Sequence, residues 1–247
     1  MKMITITHHG ITEKQKEYRV EQDCAMQFVA HYDSSHVYQP IVLRFILESN
    51  AMLECAFLID RCSVDVKIEV VLNGEGATAK INGAYILNQS NVALVETTQH
   101  HRAPHTRTEL MVKGGLKDRG AAEYRGTITI DKNAQGSYAS QENKNMILGR
   151  DARVTSVPNL QVLTDDVRCF HGSAVGRIDD ELLFYLCARG IGESQARHLL
   201  LKAFFSGIFK DERLQQNLDC SIEELFFNIS SMSKVIPDIW VTSKLGL

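Results

Sequence analysis

From about residue 52 to residue 175 the sequence is a series of short β-strand patterns separated by tight turns, with no helix of ordinary length between them. The segment from Val64 to Val70 alternates apolar and charged residues, and the turn residues Asn73 and Gly74 follow shortly after it. Such a period of two places one face of a strand on a core. Many short strands with tight turns indicate a sandwich, a barrel or a β-helix, and periodicity alone does not choose among them. Strand-like sequence upstream places the start of the sheet region near the N-terminus.

The pattern changes after Arg177, where helical sequence begins. We expect Asp179 to cap a first helix and Gly190 to end it. The next helix, "ESQARHLLLKAFFSGIF", is apolar on nearly all sides. A helix of this kind is buried on two sides or docks a partner.

A third helix is expected at "CSIEELFFNI", where Ser221 and Glu224 have the spacing of a capping box. The last residues are weakly patterned. The predicted organisation is therefore a β-rich core over residues 1–177 followed by a small helical module over residues 178–247.

Composition excludes several functions. The net charge of −3 gives no electrostatic reason to expect a nucleic acid or an anionic membrane as partner. The longest apolar run, "LLFYLCA", is far shorter than the roughly 20 residues that span a bilayer. The six cysteines form no C-x-x-C pair, and the first residues lack the apolar stretch of a secretory signal, so we expect a cytoplasmic protein with free thiols. There is no phosphate-binding loop of the type G-x-x-x-x-G-K-[ST], so we expect no bound nucleotide.

Two groups of reactive residues have ordinary interpretations. His100, His101 and His105 would suit a metal only on a helix, and Pro104 and the flanking strands favour a turn instead. The pair Asp165-Asp166 raises the possibility of a polysaccharide-cleaving β-helix enzyme. Adjacent residues of a strand point to opposite faces, however, so these two acids would not converge on one bond.

The stretch "DDVRCFHGSAVG" carries the strongest candidate residues. On a strand, Cys169 and His171 project from the same face, roughly 6.5–7 Å apart at the backbone. Thiolate and imidazole are suitable ligands for iron or zinc. In the alternative interpretation this face points into the core, with His171 a buried neutral imidazole and Cys169 a small hydrophobe. Residue type alone favours the core and leaves both interpretations open.

An ordered run of motifs between about residues 107 and 210 resembles the SufB/SufD family of iron–sulfur cluster assembly proteins. The residues that carry the resemblance are "APHTRTE", "YRGTITIDKNAQGSYASQENKNMILG", "ARVTSVPNLQVLTDDVRCFHGSAVGRIDDELLFYLCARGI" and "SQARHLLLKAFF". The resemblance implies a mainly β protein, a right-handed parallel β-helix with a small C-terminal α-helical module. It also implies a non-catalytic scaffold that works with a SufC-like ABC ATPase, which hydrolyses ATP, and with a SufB-like partner.

Within the family the chain is most similar to SufD-like members. SufB-like chains have a cysteine where Asn143 stands and E-H-E-A where this chain has "FHGS", with Gly172 replacing the second glutamate. The resemblance places the functional SufD histidine on His171 and leaves Cys169 as a secondary candidate ligand. Family members begin with a long helical region, whereas strand-like sequence appears here almost at once.

We therefore expect a SufD-like scaffold subunit that holds a transient iron–sulfur cluster, or iron, at a subunit interface. The expected ATPase-docking residues on the second helix are Leu199, Leu200, Phe204, Phe205 and Ile208. A homodimer is a variant of this arrangement, and it would need Cys169 or another thiol to accept sulfur. The alternatives are a carbohydrate-active β-helix enzyme and a degenerate family member that serves only as a structural or dimerisation partner.

Overall fold

The structure, a computed structural model, describes residues 3–9, 15–35 and 38–227. The described residues form thirteen strands and three helices. The odd-numbered strands are β1 (Met3–His9), β3 (Ala25–Tyr32), β5 (Met52–Asp60), β7 (Thr78–Leu87), β9 (Arg107–Leu116), β11 (Ser137–Ile147) and β13 (Val167–Arg177). The even-numbered strands are β2 (Gln15–Val20), β4 (Pro40–Leu47), β6 (Val64–Leu72), β8 (Val92–His101), β10 (Ala121–Ile130) and β12 (Arg153–Val162). The helices are α1 (Asp180–Ala188), α2 (Glu193–Phe205) and α3 (Glu212–Phe226).

The strands alternate between two wholly parallel sheets. The odd-numbered strands form one sheet in the order β1-β3-β5-β7-β9-β11-β13, and the even-numbered strands form the other in the order β12-β10-β8-β6-β4-β2. Each pair of consecutive strands is thus one coil of a β-solenoid of about six turns. The predicted mainly β fold, a parallel β-helix with a small C-terminal helical module, is confirmed.

A column of residues in the left-handed backbone conformation aligns the turns of successive coils. Its members are Asp23, Asn50, Gly76, His105 and Gly136, with φ between 55° and 72°. The backbone N–H of each of the first four donates to the carbonyl that precedes the next column position, and that of Gly136 donates to the carbonyl of Asp166, at 2.7–3.3 Å. Aspartate, asparagine and histidine are the non-glycine residues that adopt this conformation most readily. His105 is therefore a turn residue, as the default interpretation of "HHRAPH" expected.

The interior of the solenoid is apolar along its N-terminal two thirds. Tyr18, Phe28 and Phe45 stack there with ring centroids 5.1–5.5 Å apart. Leucine, isoleucine and valine side chains from both sheets complete the same cluster. Because interior rows alternate with charged outer rows along each strand, burial follows the period of two seen in the sequence.

The helical module covers part of the outer face of the odd-numbered sheet. Phe205 and Ile208 pack there against Leu58 and Ile86, together with apolar residues of α3 such as Leu218. These outward positions of β5 and β7 are apolar because helices cover them, so their strands are buried on both faces at that end.

Two lysines of β9 and the following turn bind the C-terminal ends of these helices. Lys113 Nζ donates to the carbonyl of Phe204 at 2.7 Å, and Lys117 Nζ donates to the carbonyl of Leu225. Cations are favourable at helix C-termini, where carbonyls lack intrahelical partners. The two amines therefore fix α2 and α3 to adjacent positions on the sheet.

The helix boundaries confirm two predicted caps and correct a third. Asp179 accepts hydrogen bonds from the first turn of α1, and Gly190 follows that helix with φ 88°. The predicted start of α3 at the Ser221 capping box is wrong, because Asp211 caps the helix ten residues earlier by accepting from Leu214 N at 2.9 Å. Ser221 lies inside the helix and donates to the carbonyl of Asn217 at 2.8 Å.

The helical module was predicted to extend to residue 247. Residues 228–247, including the weakly patterned C-terminal stretch, lie outside the described residues. In the part of the chain that the structure describes, no helix is both long and apolar enough to cross a membrane.

We predict that Gly136→Ala lowers the free energy of unfolding, because the left-handed conformation costs a side-chain-bearing residue about 1–2 kcal/mol. A Cβ at Gly136 would also overlap the imidazole of His105 in the neighbouring coil. Urea unfolding measures the change. The matched control is Gly176→Ala, where a Cβ meets nothing within 4 Å. Equal stability of the two variants would contradict the importance of the turn column.

Candidate functional site at the open end of the solenoid

The last coil, made of β12 and β13, has a neighbour on one side only. β13 pairs with β11, β12 pairs with β10, and no further strand covers them among the residues described. The interior of the solenoid is therefore open at this end. Polar backbone groups on both edge strands also lack the next strand of their sheets, so this end is a natural place for a second chain to bind.

The register confirms that Cys169 and His171 lie on the inward face. Cys169 pairs with Ala139, and His171 pairs with Gln141, both of which are buried inside the solenoid. His171 is nevertheless exposed, because no coil covers its row. The alternative that made His171 a buried core imidazole is thus wrong for this chain.

Cys169 has a different environment from its neighbour. It is half-buried and packs against Ile128, Ile130 and Ala139. Burial raises the pKa of its thiol, which favours the protonated form. Because the thiolate is the metal ligand and the nucleophile, Cys169 is a weaker candidate than His171.

The interior beneath this end is polar, in contrast to the apolar two thirds. Its buried polar side chains are Thr97, Gln99, His101, Thr106, Thr108, Ser137, Gln141, Asn143 and Asn145. They belong to coils that precede β12 and β13, so the change from apolar to polar interior occurs just below the row of His171. Buried polar groups are favourable only when they are hydrogen-bonded, and most of these are.

His101 is the most fully paired of these residues. Its Nδ1 lies 2.8 Å from Thr106 Oγ1 and its Nε2 lies 2.9 Å from Thr108 Oγ1. Desolvation, with a smaller contribution from His100, lowers the pKa of His101 to about 4, so the imidazole is neutral. His100 points outward instead and pairs with Asp131 at 3.1 Å.

Of the three histidines of "HHRAPH", His101 thus lies inside the solenoid, His100 lies outside it and His105 lies in a turn. Their side chains therefore do not converge on one point. No cluster of three or more histidine, cysteine or acidic residues suited to a metal ion occurs in the described ranges.

Asn143, the position at which the resemblance places a cysteine of SufB-like chains, lies inside the solenoid. It is 1% exposed, its Oδ1 accepts from Asn145 Nδ2 at 2.7 Å, and its Nδ2 donates to the carbonyl of Val112 at 3.3 Å. Tyr85 donates in turn to the side chain of Asn145. This position therefore holds a closed amide network and offers no thiol.

The acid pair Asp165-Asp166 lies in the turn between β12 and β13, and both residues are exposed. The premise that they occupy a strand is wrong. The carbonyl of Asp166 accepts from Gly136 N at 2.7 Å and so continues the turn column. The backbone of Asp166 therefore has a structural role.

The structure places the five predicted docking residues in three environments, four of them on α2 and Ile208 just after it. Phe205 is fully buried and Ile208 is 4% exposed, both against the sheet, so neither is available to a partner and that part of the prediction is wrong. Leu200 packs against α1, and the Phe204 ring lies 5.4 Å from the Lys113 amine. Leu199 is exposed.

Sequence reasoning missed the exposed apolar surface of α1. Leu182, Phe184 and Tyr185 are 52%, 75% and 54% exposed, whereas Leu183 is buried. We call these three residues and Leu199 the α1–α2 surface. The signal was present in the run "LLFYL", because a nine-residue helix that packs on one neighbour cannot bury five consecutive apolar residues.

Comparison with known proteins agrees with the architecture. Residues 4–204 match the sequence model described as "SUF system FeS cluster assembly, SufBD core domain". The chain is 33% identical to the iron-sulfur cluster assembly protein SufD of Escherichia coli over 150 residues, 60% of this chain and 36% of that protein. It is 35% identical to an iron-sulfur cluster assembly SufBD family protein of Mycobacterium leprae, over 59% of this chain and 39% of the relative.

Similarity to SufB is lower but extends further along the chain. The iron-sulfur cluster assembly protein SufB of Bacillus subtilis is 25% identical over 179 residues, 72% of this chain and 38% of that protein. The chain thus spans well under half the length of the curated relatives described here.

We predict that His101 makes stability depend on pH. Its folded-state pKa of about 4 lies below the unfolded value near 6.5, so the unfolded state binds the proton first as pH falls. The stability that depends on a neutral His101 is fully present above pH 6.5. Between pH 6.5 and pH 4 the free energy of unfolding falls by about 1.4 kcal/mol per pH unit. Urea unfolding at pH 7, 6 and 5 measures the slope. His101→Gln should flatten it and the outward-facing control His100→Gln should not; identical slopes for the native chain and His101→Gln would contradict this assignment.

Proposed function

Because the chain belongs to the SufBD family of the SUF system for iron–sulfur cluster assembly, we propose that it is a SufD-like scaffold subunit. The observation that carries the proposal is the position of His171, on the inward row of an open-ended solenoid, inside the ordered motif run shared with the family. In this proposal the chain performs no catalysis of its own. It presents one imidazole at a subunit interface, where iron or a nascent cluster is held as cargo.

The chemistry of the open end suits this role. A neutral imidazole is a ligand for iron, and the exposure of His171 leaves its ring accessible to a group brought by a second chain. Burial raises the pKa of the Cys169 thiol and favours its protonated form, and Asn143 stands where the resemblance places a cysteine of SufB-like chains. We therefore propose that the partner supplies the thiolate that receives sulfur.

The edge strands around His171 support an interface at this end. Val157, Leu160 and Val162 of β12 and Phe170 and Val175 of β13 are each between 38% and 58% exposed. Exposed apolar side chains on both faces of two unpaired edge strands favour pairing with another chain. We propose a SufB-like chain as this partner. A second copy of this chain is the variant, and native mass spectrometry of the assembled complex distinguishes the two.

The α1–α2 surface is the proposed docking site for an ABC-type ATPase. Its four side chains are exposed and do not belong to the cluster that packs on the sheet. This surface replaces the buried Phe205 and Ile208 in the docking proposal. The sequence has no phosphate-binding loop, so the ATPase subunit, and not this chain, is proposed to bind the nucleotide. The cytoplasm is the proposed compartment because all six cysteines are free thiols.

Loss of the imidazole should abolish cluster supply. We expect His171→Ala to lower the activity of a dependent iron–sulfur enzyme roughly tenfold or more in cells that rely on this chain, since a ligand to the metal is removed. Cys169→Ala should change it less than about twofold, because that thiol is protonated. Full enzyme activity with His171→Ala, in a complex recovered at normal yield, would overturn the proposal.

Substitutions at two exposed aromatic residues distinguish the two proposed interfaces experimentally. Phe184→Ser on α1 should weaken binding of the ATPase subunit by about tenfold or more, since aromatic anchors of interfaces contribute about 2 kcal/mol or more. Phe170→Ser on β13 should weaken pairing at the open end and leave ATPase binding unchanged. Each variant is the control for the other, because the two rings are 75% and 58% exposed and neither is part of the core. Calorimetric titration measures both affinities, and an unchanged ATPase affinity in Phe184→Ser would contradict the docking site.

A further inference from the structure

Two glutamine side chains meet inside the solenoid below the open end. Gln99 of β8 is fully buried and Gln141 of β11 is 1% exposed. Gln99 Nε2 donates to Gln141 Oε1 at 3.3 Å, which is the one hydrogen bond between the two amides. Gln99 Oε1 and Gln141 Nε2 are buried without any partner in the described part of the chain.

The absence of a side chain at Gly126 makes room for the Gln141 amide. A Cβ at Gly126 would overlap that amide, and the hydroxyl of Tyr124 lies 2.6 Å from the same point. Gly126 belongs to β10 on the opposite sheet, so the Gln141 side chain crosses the interior of the solenoid. The backbone around it is thus shaped to hold one glutamine amide in a defined place.

An unpaired buried amide of this kind needs a physical explanation. A buried polar atom without a partner costs about 1–3 kcal/mol, and native proteins contain few of them. A half turn of both amides exchanges their oxygen and nitrogen atoms. Gln141 then donates to Gln99 Oε1 and keeps its own Oε1 free as an acceptor. In either orientation one polar atom of the Gln141 amide has no hydrogen-bond partner and can pair with a further group.

The neighbour of Gln141 in the inward row is His171. The two residues are paired on adjacent parallel strands, which lie roughly 4.8 Å apart. Within the described residues the His171 ring makes no hydrogen bond, and it is exposed. A contact between the two side chains requires the exposed His171 ring to turn towards the interior, into which the Gln141 side chain extends.

We propose that Gln141 is a positioning residue for His171, its Oε1 accepting the ring N–H. A histidine that binds a metal through one nitrogen requires an acceptor for the N–H on the other nitrogen. With Gln141 below it, the lone pair of His171 faces the open end of the solenoid, where a partner and its cargo would be held. The inference rests on the proposed function for its purpose, but the hydrogen bond itself is independent of any bound iron.

The tautomer of His171 tests the proposal directly. We would label the full chain with 15N-histidine and record the imidazole nitrogen shifts at pH 8, where histidine is mostly neutral. The signals that disappear in His171→Asn are those of His171. The native chain should show His171 as one tautomer in at least tenfold excess. Gln141→Leu should reduce this excess towards the ratio of free histidine, and Gln141→Glu, which keeps an acceptor, should preserve it.

Two controls make the result decisive. Gln99→Leu leaves Gln141 in place and should preserve the His171 tautomer. The signals of His101, fixed by Thr106 and Thr108, report whether each variant keeps the folded interior. If Gln141→Leu disturbs His101, the smaller change Gln141→Met replaces it. The same His171 tautomer ratio in the native chain and in a Gln141 variant with intact His101 signals would overturn the proposal.

The result of the tautomer experiment is independent of the experiment that tests the proposed function. Full cluster supply with His171→Ala would refute the proposed role of His171. The hydrogen bond inferred from the tautomers of the Gln141 variants would still hold. An unchanged tautomer would remove Gln141 while leaving the scaffold role of His171 intact.

Discussion

The backbone ladder between successive coils is the interaction on which the rest of the structure depends. Parallel strands contribute its regular part, and the column from Asp23 to Gly136 carries it through the turns. Because side chains alternate between faces, a slip of one residue would move every inward side chain outward. The turn column prevents such a slip, and it thereby places His171 in the row of Gln141 and Cys169 in the row of Ala139.

The same two sheets serve different purposes along their length. Where α2 and α3 lie, outward positions of β5 and β7 become apolar, and Lys113 and Lys117 bind the helix ends. Where no helix lies, outward positions carry ion pairs such as Lys67 with Glu96 at 3.0 Å. The helical module is therefore attached to the solenoid by a specific patch, and Leu182, Phe184 and Tyr185 of α1 stay exposed.

Much of this architecture could be predicted from the sequence. Alternation along strands such as β6 indicated the strands, and the turn residues indicated their ends, while the motif run identified the β-helix. Periodicity reports which residues are apolar but not what covers them. That is why Phe205 was interpreted as a docking residue although the sheet covers it, and His171 as a possible core residue although nothing in the described chain covers it.

Boundaries were harder to predict for a related reason. The Ser221 box has the correct spacing for a cap, but Asp211 precedes a longer amphipathic stripe that includes Leu214 and Leu218. The stripe packs on the sheet, and that tertiary contact decides where the helix begins. Likewise, the Gln99–Gln141 contact joins residues 42 positions apart and follows only from the register of the coils.

The change from apolar to polar interior also determines how the molecule comes apart. In a solenoid each coil contacts only its neighbours, so local stability follows the burial of each coil. The coils around Phe28 and Phe45 bury large rings, whereas those around Gln141 bury amides and hydroxyls that contribute less. Opening fluctuations should therefore start at the uncovered end and progress towards the aromatic one, with amide protons of β13 exchanging before those of β5. The end at which we propose that a partner binds is therefore also the end expected to lose the most conformational freedom on binding.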